Sequence, residues 1–276
     1  MTPSTNQKSL FARFTNRPTL HQGRFPYMDS LRAMAALSIV VFHYAGYASL
    51  PSAMEWMRPL VVRLGAGVLV FFVISGFLIY RPFVRANLEG MSRPEVWGYT
   101  KRRFLRIVPA YFLALTVTAA LAGKQDVFGT NGFLYYGFAQ IYSPGLELRG
   151  LSVAWSLCIE VTLYAFLPIW ALLVAQIPAG TAVARKQREL VTLTGLLVLG
   201  VVCRIILSNN SGDVGAISIL AYLDIFTLGM FLAYLSVAYE GKGLPKALSW
   251  LNNYPGLSWV AAGVCMWAMA TQTGPN

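Results

Sequence analysis

Residues 60–80 read LVVRLGAGVLVFFVISGFLIY, and this stretch decides the fold. It holds a single charge, Arg63, and about 20 apolar residues are enough for one helix to cross the hydrocarbon core of a bilayer. Backbone N–H and C=O groups in lipid must be paired within their own segment, so we expect the block to be a helix. The alternation of short strands that a membrane barrel needs is missing from the sequence.

The rest of the chain repeats this pattern. Of its 276 residues 56% are hydrophobic and only 12% are charged, whereas soluble domains average about 25% charged residues. A soluble globular domain is therefore excluded, and the predicted fold is an all-α, polytopic transmembrane helix bundle of about seven spans. A shorter apolar piece, 132–143, is predicted to be re-entrant or interfacial. The predicted spans are 28–47, 60–80, 104–122, 153–175, 190–208, 216–238 and 256–271.

The Lys and Arg residues predict the orientation. With a cytoplasmic N-terminus, the cytoplasmic segments hold sixteen of them and the outer segments hold four. Residues 1–27 are then a basic cytoplasmic arm, and residues 28–276 form the transmembrane domain. The formal charge of +11 lies mostly between the apolar blocks, so it indicates topology and an anionic ligand and not nucleic acid. The three cysteines, Cys158, Cys203 and Cys265, lie inside apolar blocks without zinc spacing, so no metal is expected.

The first span carries three ionisable residues, Asp29, Arg32 and His43, and such groups are costly within a membrane. His43 follows Arg32 by eleven positions, which returns to nearly the same helix face about 16 Å further along the axis. His43 then lies in the outer half of the span. Imidazole is the usual proton acceptor near neutral pH. An interfacial histidine bonded to a backbone carbonyl is the alternative.

The fourth span begins with Trp155 and Ser156 and carries Glu160 about 10 Å below its outer edge. Glu160 and His43 are thus predicted in the same half of the membrane, where a carboxylate could orient the imidazole. Alternatively, Glu160 pairs with Arg204 or caps a packing interface. Arg204 lies near a helix end and could simply snorkel, and Asp224 is interpreted as a structural pairing partner.

A basic run, residues 101–106, is expected in the loop before the third span. Arg103 and Arg106 are three positions apart, so both would face one side of the helix start. Arginine forks match phosphate oxygens, and a helix N-terminus adds attraction for anions. A positive-inside anchor is the alternative. Ser75 and Gly76 in the second span would allow either a close helix approach or a local break in the helix.

Taken together, these pieces resemble the acyltransferase 3 family of bacterial membrane O-acyltransferases. The resemblance covers roughly residues 24–240 and rests on four motifs in the family's order. The motifs are residues 28–33 (MDSLRA) with His43 after Arg32, residues 70–79 (VFFVISGFLI), residues 102–111 (RRFLRIVPAY), and residues 155–160 (WSLCIE) with Tyr164 and Pro168 beyond them.

The resemblance implies an enzyme that moves an acyl group, by expectation acetyl, from cytoplasmic acyl-CoA to a hydroxyl of a glycan, a lipid-linked sugar or a small molecule such as a macrolide. It further implies a multi-pass protein of the bacterial inner membrane, working in cell-envelope or polysaccharide modification. The family usually has about ten spans, so about three are missing from this sequence, and its C-terminus is either a natural end or the result of truncation. The implied roles are catalysis by His43 and Glu160, donor binding by Arg32, Arg103 and Arg106, and support or substrate contact by Asp29, Ser75, Trp155, Ser156 and Tyr164.

Two points stay open at the level of sequence. His43 could act as a general base, or it could carry the acyl group on its ring. Two functions of other classes also compete: a secondary transporter in which His43, Glu160, Arg204 and Asp224 form a relay, and a non-catalytic membrane protein.

Overall fold

The computed structural model describes residues 25–48, 52–91, 96–210 and 217–241. Within these ranges the chain is helical, with connections made of turns and short 3-10 helices. We number the α-helices in chain order. They are α1 Pro26–Ala48, α2 Arg58–Arg63, α3 Gly67–Glu89, α4 Val96–Leu121, α5 Gln125–Phe128, α6 Gly132–Tyr136, α7 Trp155–Gln176, α8 Ala182–Asn210 and α9 Leu223–Ala238.

Five stretches of the described chain are long and apolar enough to cross a membrane, and they confirm a polytopic helical bundle. They correspond to five of the seven predicted spans. The first predicted span is α1, which is 23 residues long, or about 34 Å, but is made less apolar by its three ionisable residues. The seventh, 256–271, lies outside the described residues. The five stretches are Met54–Glu89, Phe104–Leu121, Ser152–Gln176, Ala182–Leu207 and Ile219–Ala238.

Two boundary predictions were wrong. Residues 81–106 were expected to be a loop, but α3 continues to Glu89 and α4 begins at Val96. Likewise, α8 begins at Ala182, eight residues before the predicted start. In both places charged residues were interpreted as loop, whereas the structure continues the helix. Four of the charges, on Arg81, Arg85, Arg185 and Arg188, have partners within the bundle.

Helices α3 and α9 pack closely at two glycines. A Cβ atom added at Gly76 would overlap the carbonyl oxygen of Phe226, and one added at Gly229 would overlap the carbonyl oxygen of Val73. Small residues at such crossings let two backbones approach, which strengthens van der Waals packing in a lipid environment. The close approach predicted for Ser75 and Gly76 is confirmed. Of the five stretches, Ile219–Ala238 is the most deeply buried, with 50% of its most apolar part buried, against 17% for Ala182–Leu207.

The segment between α4 and α7 is folded onto its neighbours. Tyr111 of α4 donates a hydrogen bond to the carbonyl oxygen of Tyr135 at 2.8 Å, and Lys124 donates to the carbonyl oxygen of Gly150 at 2.6 Å. Burial raises the pKa of the Tyr135 hydroxyl, and its bond to Asp126 raises the pKa further. The predicted interfacial piece, 132–143, contains only α6 and one short 3-10 helix. These contacts fix the loop that precedes Trp155.

Candidate active site

A cavity of about 500 Å³ opens at the end of the bundle where α1 and α8 finish and α3, α7 and α9 begin. This size lies within the range of small-molecule sites in proteins. His43, the predicted catalytic residue, lines it together with Trp155. The complete lining is Ile39, Phe42, His43, Gly65, Ala66, Val68, Leu69, Trp155, Arg204, Leu207, Ala221 and Tyr222.

The register of α1 directs His43 toward the cavity. Leu37, Val40 and Tyr44 lie on the exposed face of the helix, and their spacing is that of an apolar stripe. His43 is half-buried, and its ring meets that of Phe42 edge-on, with centroids 5.1 Å apart. The imidazole therefore reaches a partly enclosed space, where it can accept or release a proton beside a bound molecule.

Aromatic side chains form one wall of the cavity. The rings of Trp155 and Tyr222 lie 5.7 Å apart at 37°, and the ring of Tyr222 lies 5.2 Å from that of Phe72. Phe72 is almost completely buried behind them. Such rings pack at low entropic cost and offer flat apolar faces next to polar tips. Trp155, which was predicted as a supporting residue, thus belongs to the same site as His43.

Glu160 lies in a separate cluster. Its Oε1 atom accepts hydrogen bonds from the Ser75 hydroxyl at 2.5 Å and the Tyr164 hydroxyl at 2.6 Å. The cluster ties α7 to α3 next to Gly76 and brings together three predicted site residues. Glu160 itself is not among the residues that line the cavity, so its predicted action on His43 stays a prediction. Ser156, one turn earlier, is half-buried.

Arg204 pairs with Asp224 across α8 and α9 through a short contact between its Nη2 and the carboxylate Oδ1. The Asp224 side chain is only 10% exposed, whereas that of Arg204 is 40% exposed and lines the cavity. The interpretation of Asp224 as a structural partner is confirmed. The alternative in which Glu160 pairs with Arg204 is replaced by this ion pair.

The predicted donor-binding arginines are spread over α1 and α4. Arg32 is half-buried, while Arg106 and the nearby candidate Asp29 are exposed. The side chain of Arg103 lies outside the described part of the chain. One prediction about them was wrong: the basic run does not start a helix, because Arg103 lies seven residues, or about two turns, after the start of α4. The attraction of a helix N-terminus for anions therefore does not act there.

A sequence model of a family described as an acyltransferase domain matches residues 25–275. The chain belongs to the acyltransferase 3 family. It is similar to a protein of Staphylococcus aureus strain COL named "Putative O-acetyltransferase", with 28% identity over 158 residues. It is also similar to the O-acetyltransferase OatA of Staphylococcus aureus strain NCTC 8325 / PS 47, with 25% identity over 158 residues.

Both alignments cover 52% of this chain and 24% of the relative, so the chain matches about a quarter of the length of these curated relatives. No solved structure matches the chain. Within the described ranges no group of three His, Cys, Asp or Glu side chains stands close enough to hold a metal ion.

In this acyltransferase 3 family member, the residues of the cavity lining that the sequence did not indicate include two aromatic ones, Phe42 and Tyr222. Phe42 is the neighbour of His43, but a phenylalanine in an apolar span gives no distinct signal. Tyr222 lies two residues before Asp224, where the chain turns into α9. An ionisable residue in a span marks a place worth inspecting, so the position of Asp224 was a usable pointer to Tyr222.

Proposed function

We propose that the chain is a membrane O-acyltransferase that moves an acyl group, acetyl by preference, from cytoplasmic acyl-CoA to the hydroxyl of a glycan, a lipid-linked sugar or a small molecule. The observation that carries this proposal is the place of His43 in the 500 Å³ cavity beside Trp155 and Arg204. Membership of an acyltransferase family supports the class of reaction. The cavity supports the site, because an acceptor bound in it would have its hydroxyl beside His43.

The donor would enter from the opposite end of the bundle. Arg32 lies one-third of the way along α1, and His43 lies near its other end on almost the same face. In the proposal Arg32, Arg103 and Arg106 bind the phosphates of the nucleotide, because guanidinium groups match phosphate oxygens. The pantetheine arm then follows α1 to bring the thioester to His43. In the proposal the N-terminus lies in the cytoplasm of a bacterial cell, and the protein lies in its inner membrane.

His43 would take the proton of the acceptor hydroxyl as the oxygen attacks the thioester carbon. Positioned general bases typically contribute 10²–10⁴-fold to a reaction. Trp155 and Tyr222 offer flat faces against which the acceptor can stack. The Glu160 cluster with Ser75 and Tyr164 supports this end of α7, and Ser156 and Asp29 stay supporting candidates.

The test replaces His43 and follows acyl transfer in cells. With His43→Ala, mass spectrometry of surface glycans, lipids and secreted metabolites should lose a species that is one acyl group heavier than its unmodified form. Tyr44→Ala is the matched control, because Tyr44 is the next residue of α1 and is 72% exposed. An acylated product that persists in the His43→Ala strain, at a normal level of inserted protein, would refute the proposal.

A further inference from the structure

Arg204 is unusual for a residue in such an apolar site. It lies in the last third of α8, and its neighbours on the cavity surface are mainly apolar, among them Phe42, Leu69 and Leu207. An arginine in a membrane span is costly unless a partner or a water-filled space receives it. Here it has both, since Asp224 takes one N–H group and the cavity lies beside the rest of the side chain.

The surrounding backbone is shaped to hold this pair. A Cβ atom added at Gly200, one turn before Arg204, would press against the backbone nitrogen and Cα of Asp224. The glycine thus lets α8 come close to the start of α9, where Asp224 lies. Asp224 is 7% exposed, so most of its surface is taken up by the protein. The carboxylate is therefore a fixed anchor that sets the direction of the guanidinium.

The ion pair of Arg204 and Asp224 has unused hydrogen-bond donors but no net charge. A guanidinium carries five N–H donors, and the structure gives one contact, from Nη2 to Asp224. Its Nε is buried and has no acceptor among the described residues. Arg204 and Asp224 together are neutral, so a second full anion would give the pair a net negative charge. A neutral oxygen acceptor fits this site better, because it can use the donors without adding charge.

We propose that Arg204 donates a hydrogen bond to the carbonyl oxygen of the acyl thioester and stabilises the negative charge that this oxygen gains during transfer. Asp224 is the positioning residue that holds Arg204. This inference rests on the proposed function, because it assigns a role within the same acyl transfer. Donors aimed at the place where charge develops are among the largest contributions to catalysis, typically 10²–10³-fold for one donor.

The transfer step follows from these roles. The acceptor oxygen forms a bond to the carbonyl carbon while His43 takes the hydroxyl proton. The electron pair of the carbonyl bond moves to oxygen, where Arg204 holds it. When the C=O bond re-forms, the C–S bond breaks, and the thiolate takes the proton from the imidazolium. The products are the ester of the acceptor and the free thiol of coenzyme A.

The experiment compares two ligands that differ only at the carbonyl. S-ethyl-CoA is acetyl-CoA with the thioester oxygen replaced by two hydrogens. Both are titrated against the full chain in lipid nanodiscs, as wild type and as Arg204→Gln. The wild type should bind acetyl-CoA about five- to tenfold more tightly than S-ethyl-CoA, which is the difference in affinity expected for one net hydrogen bond. The Arg204→Gln variant should bind the two ligands with equal affinity.

Two further variants separate this role from a structural one. Arg188→Gln is the matched control, because Arg188 is also on α8 with a buried Nε that lacks an acceptor among the described residues, but donates to the carbonyl oxygen of Ile177 away from the cavity. It should keep the preference for acetyl-CoA. The double variant Arg204→Gln with Asp224→Asn removes both charges, so a buried unpaired carboxylate does not disturb folding. It should lose the preference as the single variant does.

The outcomes also separate this inference from the proposed function. If wild type binds both ligands equally, or if Arg204→Gln retains the preference, Arg204 is only a brace between α8 and α9, and the acyltransferase proposal stands. If wild type binds neither ligand, the coenzyme A donor is wrong, and the assignment of Arg204 is overturned with it. Loss of the preference in Arg188→Gln would trace the effect to general damage and likewise refute the role.

Discussion

The two ends of the bundle use arginine differently. At the end where α3 and α9 finish and α8 begins, which we call the basic end, four arginines have acceptors within the protein: Arg81, Arg85, Arg185 and Arg188. At the other end, which we call the cavity end and which holds His43, Trp155, Arg204 and Tyr222, Arg204 borders open space. The contacts at the basic end are Arg81 and Arg85 to Glu240, Arg81 to Ser236, Arg185 to the carbonyl oxygen of Leu88, and Arg188 to the carbonyl oxygen of Ile177.

The comparison shows that a large number of charged residues at one end of the bundle does not by itself mark the active site. Several arginines at one end report the orientation of the chain and brace helix ends, where cations favour the carbonyl-rich C-termini. A single arginine beside a cavity, next to a histidine, has donors that a ligand can use. We therefore expect substitutions of the four arginines that have acceptors at the basic end to change stability, and substitutions at the cavity end to change activity.

The largest effect should come from the framework that joins the two ends. Gly229→Leu places a branched side chain where even a Cβ overlaps the carbonyl oxygen of Val73, so α3 and α9 must separate. We expect a loss of at least about 3 kcal/mol in the free energy of unfolding, the upper part of the range for overpacking, and loss of activity at the same time. Thermal unfolding in nanodiscs and acyl-transfer assays measure both quantities.

A glycine elsewhere on the bundle supplies the control for Gly229. A Cβ added at Gly195 of α8 meets nothing within 4 Å, so Gly195→Leu should unfold within a few degrees of wild type. If Gly229→Leu were as stable as Gly195→Leu, the close crossing of α3 and α9 would not be needed for the stability of the bundle, and the prediction would be wrong.

The next effect concerns a buried carboxylate near the basic end. Glu189 is fully buried and accepts hydrogen bonds from the Tyr80 hydroxyl at 2.7 Å and the Asn87 amide at 2.8 Å. Glu189→Ala leaves both donors unpaired, and each such group costs about 1–3 kcal/mol. We expect lower thermal stability with nearly normal acyl transfer by the protein that remains folded.

Glu189→Gln is the matched variant, because an amide can still accept from Tyr80 and donate to the Asn87 side-chain oxygen. Its unfolding temperature should lie between those of wild type and Glu189→Ala. If acyl transfer fell much more than the folded fraction in both variants, Glu189 would have a role in the reaction itself. This result would contradict its assignment as a structural residue.

A smaller effect is expected at the Glu160 cluster, between the two ends. Tyr164→Phe removes one of the two described hydrogen bonds to the Oε1 atom of Glu160 and leaves the ring in place. A hydrogen bond in a protein typically contributes about 0.5–1.5 kcal/mol, so acyl transfer should fall by about two- to tenfold if Glu160 must be held in one position. The rate of acyl transfer at saturating acetyl-CoA measures the effect.

Tyr142→Phe is the control for Tyr164, because the Tyr142 hydroxyl also contacts α7 but reaches Thr162 at 2.8 Å. It should leave the rate unchanged. Equal rates in both variants would mean that Glu160 acts only in packing, and the cavity would then be the whole active site.

The sequence predicted the spans and the surroundings of His43 better than the connections between helices. Trp155 and His43 lie far apart in the chain, yet both were singled out as motif residues, and one cavity holds them. The bond between Ser75 and Glu160 joins residues 85 positions apart, and no local pattern reveals such a contact. The error over residues 81–106 has the same origin. The charges of Arg81 and Arg85 indicated the end of a span, while the partner that keeps them on α3, Glu240, belongs to a distant helix end.

The smallest effect is expected for Arg85, and it gives the comparison its sharpest test. Its side chain is 33% exposed and that of its partner Glu240 is 49% exposed, and exposed ion pairs contribute about 0–1 kcal/mol. Arg85→Gln should therefore shift thermal unfolding only slightly and leave donor binding unchanged, because Glu240 already occupies the guanidinium. The matched change at the cavity end, Arg204→Gln, removes the same kind of group from a paired arginine and yet should reduce acyl transfer by about 10²–10³-fold. If titration showed instead that Arg85→Gln weakens the binding of acetyl-CoA tenfold, the ion pair with Glu240 would open when the donor binds, and Arg85 would belong to the donor site together with Arg32, Arg103 and Arg106.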